Sequence, residues 1–159
     1  MRFEFRSIVR GLTFTFADWT SYWKRNKLMK DDIRDRDDVA QLINRFYEKV
    51  RANETIGYIF NDVAKVNWEH HLPVMYDFWE NVLFHTGTYV RNAVAVHKNL
   101  NQLTPLKREH FEEWLTLWKQ TVDEIFEGPN AELVKQRAQS IATIMQISIL
   151  QGGISGKVD

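Results

Sequence analysis

Apolar residues recur along most of this chain at the spacing of one helix face. The first such stripe is expected to start at a capping residue, either Asp37 or Asp38, and to end at Asn53. Its apolar positions are Val39, Leu42, Ile43, Phe46 and Val50. Separations of three and four residues predict an amphipathic helix that packs one side against a core.

A second helix is predicted in the segment WEHHLPVMYDFWENVLFH, after Asn67, which is a favoured capping residue. Pro73 lies inside this segment and lacks a backbone donor, so we expect a kink or a weak turn there. The pattern ends at the tripeptide that begins with His85. The positions on one side of this helix are Trp68, His71, Met75, Phe78 and Leu83.

The next two helices are separated by a loop that contains proline. Residues 91–100 are compatible with a short helix. Thr104 and Pro105 are expected to start the following helix, as its capping residue and its first helical residue. That helix has a strong apolar stripe, made of Phe111, Trp114, Leu115, Trp118, Val122, Ile125 and Phe126.

The last helix is expected to begin near Ala131 and to stop at Gly152 and Gly153, since glycine is the favoured residue after a helix end. Its inner positions are Val134, Ala138, Ile141, Met145 and Ile149. The sequence patterns that predict β-strands are weak throughout this helical part of the chain. The pattern therefore predicts an all-α domain of five or six helices around one core.

Residues 1–30 differ from this pattern and are predicted to be an N-terminal extension, disordered in the simplest interpretation. Their early part, with Phe3, Phe5 and the run 13–16, favours extended or irregular structure. Two alternatives are an arm that binds a partner and a natural translation start at Met29. The helical domain then spans residues 31–153, followed by a tail at 154–159.

Composition excludes several classes of protein. The chain has 159 residues, enough for one core, and its net charge of zero does not indicate a surface for nucleic acid. The absence of cysteine excludes disulfides, iron–sulfur clusters and zinc–thiolate sites, and it is compatible with the cytoplasm, where we expect the protein. No apolar run of about eighteen residues predicts a membrane span, and Arg10 interrupts the apolar stretch that a secretory signal needs.

The candidate chemistry is centred on histidine. Neighbouring residues on a helix point about 100° apart, and the apolar spacing turns His71 inward and leaves His70 at the surface. Metalloprotease, di-iron, nucleotide-binding and hydrolase motifs are absent. His97 remains, between helices rich in aromatic residues. One histidine suffices for iron when a macrocycle supplies four nitrogens, but a lone histidine is more often a surface or core residue. A cofactor site and a plain helical core both stay open.

Seven short segments follow one another as they do in group III (P-type) truncated haemoglobins, and the chain resembles this family from about Asp32 to Gly153. The segments are Phe46–Val50, Ile59–Asn61, Trp68–His71, Phe78–Trp79, His97–Leu100, Phe111–Leu115 and Gln136–Ala138. The resemblance implies a two-over-two globin fold for residues 31–153, with one non-covalent haem b.

The resemblance also implies roles for single residues. His97 matches the proximal histidine that binds the iron. Tyr47 and His71 match the distal tyrosine and histidine, and Trp114 matches the tryptophan over the distal face. The phenylalanine that stacks on the haem corresponds to Phe60. Met75, one helical turn after His71, is expected to form a wall of the ligand site.

The implied function is the binding of O₂, NO or CO at ferrous iron, with Tyr47 and Trp114 as hydrogen-bond donors. Detoxification of NO or reactive oxygen, with an unidentified reductase, is one expected use, so NO dioxygenase activity stays open. Peroxidase-like activity is an alternative. No carboxylate is adjacent to His97, so a backbone carbonyl is expected to accept the hydrogen bond from its imidazole. A neutral acceptor of this kind favours ligand binding over peroxidase-like activity. The other alternative is a haem-free helical interaction module. We expect a monomer.

Overall fold

The computed structural model describes residues 7–9, 12–14 and 30–154, with side chains from 30 to 149. The chain divides into two compact units between Asp31 and Asp32. In the first unit, strands β1 (Ser7–Val9) and β2 (Leu12–Phe14) pair antiparallel, which confirms the expectation of extended chain for residues 13 and 14. The expectations for Phe3, Phe5, residues 15–16, Met29 and the tail beyond residue 154 concern positions outside the described residues.

Helices make up the described part of the second unit, and they confirm the predicted all-α class. The elements are α1 (Arg36–Ala52), a π-helical turn (Ile59–Val63), α2 (Trp68–Phe84), α3 (Ala93–Leu103), α4 (Arg108–Ile125) and α5 (Pro129–Ile154). Helix α1 packs on α2, α4 packs on α5, and the two pairs meet through α1 and α4. Helix α3 packs against α5.

Helix α1 begins two or three residues earlier than predicted. The capping residue is Asp35, whose carboxylate accepts hydrogen bonds from the backbone N–H groups of Asp37 and Asp38. These two residues lie in the first turn, where their charges stabilise the positive end of the helix. The predicted end at Asn53 is confirmed. All five predicted apolar positions of this helix are buried.

Helix α2 begins as predicted, because the Asn67 side chain accepts a hydrogen bond from the backbone N–H of His70. Of the two expectations at Pro73, a kink or a weak turn, the weak turn is wrong, since the helix continues through this residue to Phe84. Proline removes the donor to the Glu69 carbonyl, but Pro73 and Glu69 are both exposed, so water can replace that donor. His85, with a φ of 56°, ends the helix.

The predicted start of α4 at Thr104 and Pro105 is wrong. The backbone N–H of Thr104 donates to the carbonyl oxygen of Leu100, so Thr104 ends α3. Helix α4 starts later, where the backbone N–H of Lys107 donates to Nδ1 of His110 at 3.2 Å. A buried imidazole therefore performs the capping that the sequence pattern assigned to a threonine.

Helix α5 begins at Pro129, close to the predicted start, and the carboxylate of Asp32 caps it. The two Asp32 oxygens accept hydrogen bonds from the backbone N–H groups of Asn130 at 3.0 Å and Ala131 at 2.8 Å. Gly128 allows this approach, because its φ is 147° and a Cβ there would overlap the Asp32 side chain. The start of the second unit is thus bonded to its last helix.

The predicted stop at Gly152 and Gly153 is wrong, because α5 continues to Ile154. A glycine inside a helix costs about 1 kcal/mol relative to alanine, which weakens a helix without ending it. None of the described helices is long and apolar enough to span a bilayer.

Three indole rings form a stack that connects the core to one internal wall. Trp118 is fully buried, and its ring lies 4.1 Å from that of Trp79 with 22° between the planes. Trp114 stacks on Trp118 at 5.7 Å and 7°. Because Trp79 and Trp118 are held in the core, they fix the plane of the less buried Trp114.

Candidate functional site

A cavity of about 260 Å³ lies among the helices of the second unit, and most of its lining is apolar. One water needs roughly 15 Å³ on this measure, so the cavity has room for a much larger group. The six residues selected from the sequence all line it, and they are Tyr47, Phe60, His71, Met75, His97 and Trp114. The fold therefore brings together positions that lie far apart along the chain.

His97 lies on α3, and its imidazole has a defined hydrogen-bond geometry. Its Nδ1 donates to the carbonyl oxygen of Ala93 at 2.8 Å, one turn earlier in the same helix. A carbonyl can only accept, so the proton is on Nδ1 and the lone pair is on Nε2. Nε2 has no hydrogen-bond partner among residues 30–149. The expectation of a backbone carbonyl as acceptor is confirmed.

Tyr47 and His71 form a polar pair in the cavity wall. The Tyr47 hydroxyl lies 3.2 Å from Nε2 of His71, and this contact joins α1 to α2. Tyr47 is only 6% exposed, and burial raises the pKa of its phenol well above the ordinary value. The hydroxyl therefore keeps its proton at neutral pH and can act as a donor.

His71 is neutral at pH 7. Burial is the main cause that lowers the pKa of its imidazole, and the Coulomb interaction with the nearby imidazole of His97 lowers it further. The Tyr47–His71 pair is therefore uncharged at neutral pH, so what it can offer in the cavity is hydrogen bonds rather than net charge.

The lowered pKa of His71 predicts a dependence of stability on pH. The folded chain disfavours protonated His71, so the unfolded chain binds more protons as pH falls below its ordinary pKa of about 6.5. We expect the free energy of unfolding of the haem-free protein to fall as pH is lowered through this window. The His71→Gln variant should lose less stability between pH 7 and pH 5, as measured by urea denaturation.

The matched control for this measurement is His70→Gln, because His70 is exposed on the same helix. We expect this variant to keep the wild-type dependence on pH. An unchanged dependence in His71→Gln, with or without a change in His70→Gln, would contradict the role assigned to His71.

Trp114 and Phe60 contribute aromatic surface at two other walls. Trp114 is half-buried, and the edge contact of its ring with Phe46, at 5.5 Å between centroids, adds to the indole stack. Phe60 lies in the π-helical turn and stacks on Trp68 at 6.3 Å with 24° between the planes. The Arg51 guanidinium covers Trp68 at 5.1 Å. The aromatic walls are thus held by further packing contacts behind them.

Several lining residues were not selected from the sequence as site residues. Phe111, Ile141 and Met145 had been placed on core faces, so their apolar periodicity was visible but did not distinguish a cavity wall from the core. Tyr89 and Arg91 lie in the loop before α3, because this helix spans Ala93–Leu103 and starts two residues later than the predicted segment 91–100.

The donor set fits a planar iron macrocycle better than a bare metal ion. The described residues contain no cluster of three or more His, Cys, Asp or Glu side chains that could hold a metal. His97 offers one imidazole nitrogen, which is the number of protein ligands that a five-coordinate haem requires. The polar Tyr47–His71 pair and the apolar walls complete a site that suits such a group.

Comparison with known proteins extends this picture beyond single motifs. No protein-family model matches the chain. The chain is 31% identical over 128 residues to the Group 3 truncated hemoglobin ctb of Campylobacter jejuni, which covers 79% of this chain and 98% of that protein. A crystal structure of group III truncated hemoglobin from the same species superimposes with a TM-score of 0.67 at 30% identity, over 76% of this chain and 95% of that one. The similarity covers a complete domain.

Proposed function

The chain belongs to the group III truncated haemoglobins, and on this basis we propose that its cavity binds one non-covalent haem b and that the loaded protein binds O₂, NO or CO. The observation that carries the proposal is the hydrogen bond from Nδ1 of His97 to Ala93, because it leaves the lone pair of Nε2 for iron. When bound, the haem supplies the iron at which a diatomic ligand binds.

Apolar walls support the binding of a large flat group. Ile56, Ile59, Ala142 and Met145 line the cavity and are buried, and each of them contributes an apolar side chain to its lining. Removal of apolar surface from water contributes about 25 cal/mol per Å². The ring of Phe60 offers a flat face, and Met75 adds a flexible side chain one turn after His71. These contacts hold a planar cofactor without a covalent link.

Tyr47, His71 and Trp114 act on the diatomic ligand. The phenol of Tyr47 retains its proton, so the hydroxyl can donate to a ligand oxygen. The indole N–H of Trp114 is a second donor at the cavity wall. Each such bond contributes about 0.5–1.5 kcal/mol, and more when the acceptor carries charge. The residues of this chain thus favour retention of a polarised ligand such as O₂.

The partner of His97 favours ligand binding over peroxidase-like chemistry. A carboxylate acceptor would give the imidazole a stronger anionic character, whereas the carbonyl of Ala93 is neutral. We also propose that the bound O₂ is used to remove NO or reactive oxygen species, with electrons supplied by a reductase. We propose that a single chain is the functional unit.

Titration of the purified haem-free protein with haemin tests this proposal. We expect a Soret band that grows until one haemin is bound per chain, and a shift of that band when CO is added after reduction. A protein that stays colourless in excess haemin would contradict the proposal and favour a haem-free helical interaction module.

A further inference from the structure

Two of the contacts between α1 and α2 lie next to each other. The first is the hydrogen-bonded pair of Tyr47 and His71. The second is the Arg51 guanidinium, 5.1 Å from the centre of the Trp68 indole ring. On α1, Arg51 follows Tyr47 by four positions. On α2, Trp68 precedes His71 by three. Residues three or four apart are neighbours on a helix surface, so the two contacts are adjacent connections between the same pair of helices.

The Trp68 ring contacts both members of the hydrogen-bonded pair. Its centroid lies 5.4 Å from that of the Tyr47 ring, with 57° between the planes. It lies 5.8 Å from the centroid of the His71 ring, and these two planes are nearly perpendicular at 88°. Trp68 is half-buried and is not among the described residues that line the cavity. The indole therefore packs against the polar pair from outside the cavity.

Arg51 is held through its backbone and holds Trp68 through its side chain. The carbonyl oxygen of Arg51 accepts a hydrogen bond at 3.1 Å from Nδ2 of Asn61, a residue of the π-helical turn. The exposed guanidinium covers the indole, an arrangement that the electrons of the ring and the planar shape of the guanidinium both favour. Arg51 thus connects the Trp68 ring to the turn that carries Phe60.

We infer that Arg51 and Trp68 are positioning residues that hold the imidazole of His71 against the Tyr47 hydroxyl and so determine which hydrogen bonds this pair offers in the cavity. Tyr47 is 6% exposed and is held by the core, whereas His71 is only half-buried. Without the indole, water would reach the imidazole on this side, and the ring would be free to turn away from the phenol. The consequence for a diatomic ligand rests on the proposed function, but the hold on His71 does not.

The first test is an NMR titration of the His71 imidazole in the full-length chain without haemin, assigned by the resonances that His71→Gln removes. We expect Trp68→Ala to raise the pKa of His71 toward the ordinary value of about 6.5, because part of the burial that lowers it is lost. Trp68→Phe should keep most of the wild-type behaviour, since a ring remains against the imidazole. Arg51→Gln should shift the pKa in the same direction as Trp68→Ala, by a smaller amount.

Arg45→Gln is the matched control, because Arg45 is exposed on the same helix and its ion pair with Glu48 stays within that helix. An equal shift in this variant, or an unchanged pKa in Trp68→Ala, would overturn the inference. If Trp68→Ala does not fold, Arg51→Gln decides, because it changes an exposed side chain, and an unchanged pKa there overturns the inference.

The second test measures O₂ dissociation from the reduced, haem-loaded protein. The factor by which His71→Leu changes the off-rate should move toward one in the Trp68→Ala background, because His71 is then no longer held against Tyr47. An equal factor in the two backgrounds would overturn the effect on the ligand. A wild-type protein that takes up no haemin would remove the proposed function, while the NMR titration would still decide whether Trp68 and Arg51 hold His71.

Discussion

Replacing His97 with glycine should remove tight haemin binding, and added imidazole should restore the Soret band. The substitution deletes the nitrogen proposed to bind iron and leaves a space of the size of one imidazole ring. Loss of groups that only support a metal ligand costs about 10–100-fold in metal affinity, so loss of the ligand itself should cost at least about a hundredfold. Haemin titrations with and without imidazole measure both effects.

Lys98→Gly is the matched control for this substitution. It places the same helix-weakening residue at the next position of α3, at a cost of about 1 kcal/mol, but leaves His97 in place. We expect this variant to bind haemin as the wild type does. Wild-type affinity in His97→Gly without imidazole would contradict the assignment, and would point to His71, which lines the same cavity.

The helices were largely predictable from the sequence, because most of their apolar positions repeat at helical spacing. The buried face of α1 and the cap at Asn67 were predicted from local residues and are confirmed. The start of α4 was not predictable, because Thr104 and Pro105 satisfy the local rules for a helix start. The structure instead extends α3 to Leu103 and caps α4 with the imidazole of His110, a local contact at a position where the usual capping-box pattern has Glu or Gln.

The candidate site was predictable only in part. The periodic pattern placed His71 on an inner face, and the resemblance to the family selected His97, Tyr47 and Trp114, all of which line one cavity. Tyr89 and Arg91 carry no such signal, since a loop residue reaches a cavity through the path of the chain rather than through a repeat. A prediction from helical spacing therefore finds the residues that the helices contribute to this cavity and misses those that the loop contributes.

Replacing Tyr47 with phenylalanine should speed O₂ dissociation from the ferrous protein by on the order of tenfold, the factor that corresponds to about 1.4 kcal/mol. The substitution removes one hydroxyl from a buried ring and keeps the edge contact with Phe46 at 5.0 Å. Stopped-flow measurement of the off-rate tests this. Tyr76→Phe is the control, because the Tyr76 hydroxyl also joins α2 to α1, through Asn44 at 2.6 Å, but does not line the cavity.

The Tyr47 hydroxyl has one proton, and His71 affects where that proton is donated. With the imidazole proton on Nδ1, Nε2 of His71 accepts the Tyr47 proton and competes with the ligand. With the imidazole proton on Nε2, His71 donates to the phenol oxygen and leaves the phenol proton for the ligand. The effect of His71→Leu on the off-rate therefore depends on the tautomer: slower O₂ loss indicates competition, and faster loss indicates support.

A double-mutant cycle separates these cases from independent action. If Tyr47 and His71 act as one unit, Tyr47→Phe should have a different effect on the off-rate in the His71→Leu background than in the wild type, because residues in direct contact couple. Trp114→Phe should add its own effect, since Trp114 belongs to the indole stack and has no described hydrogen bond to the pair. An off-rate unchanged by Tyr47→Phe in both backgrounds would remove Tyr47 from ligand binding and leave the indole of Trp114 as the donor that retains O₂.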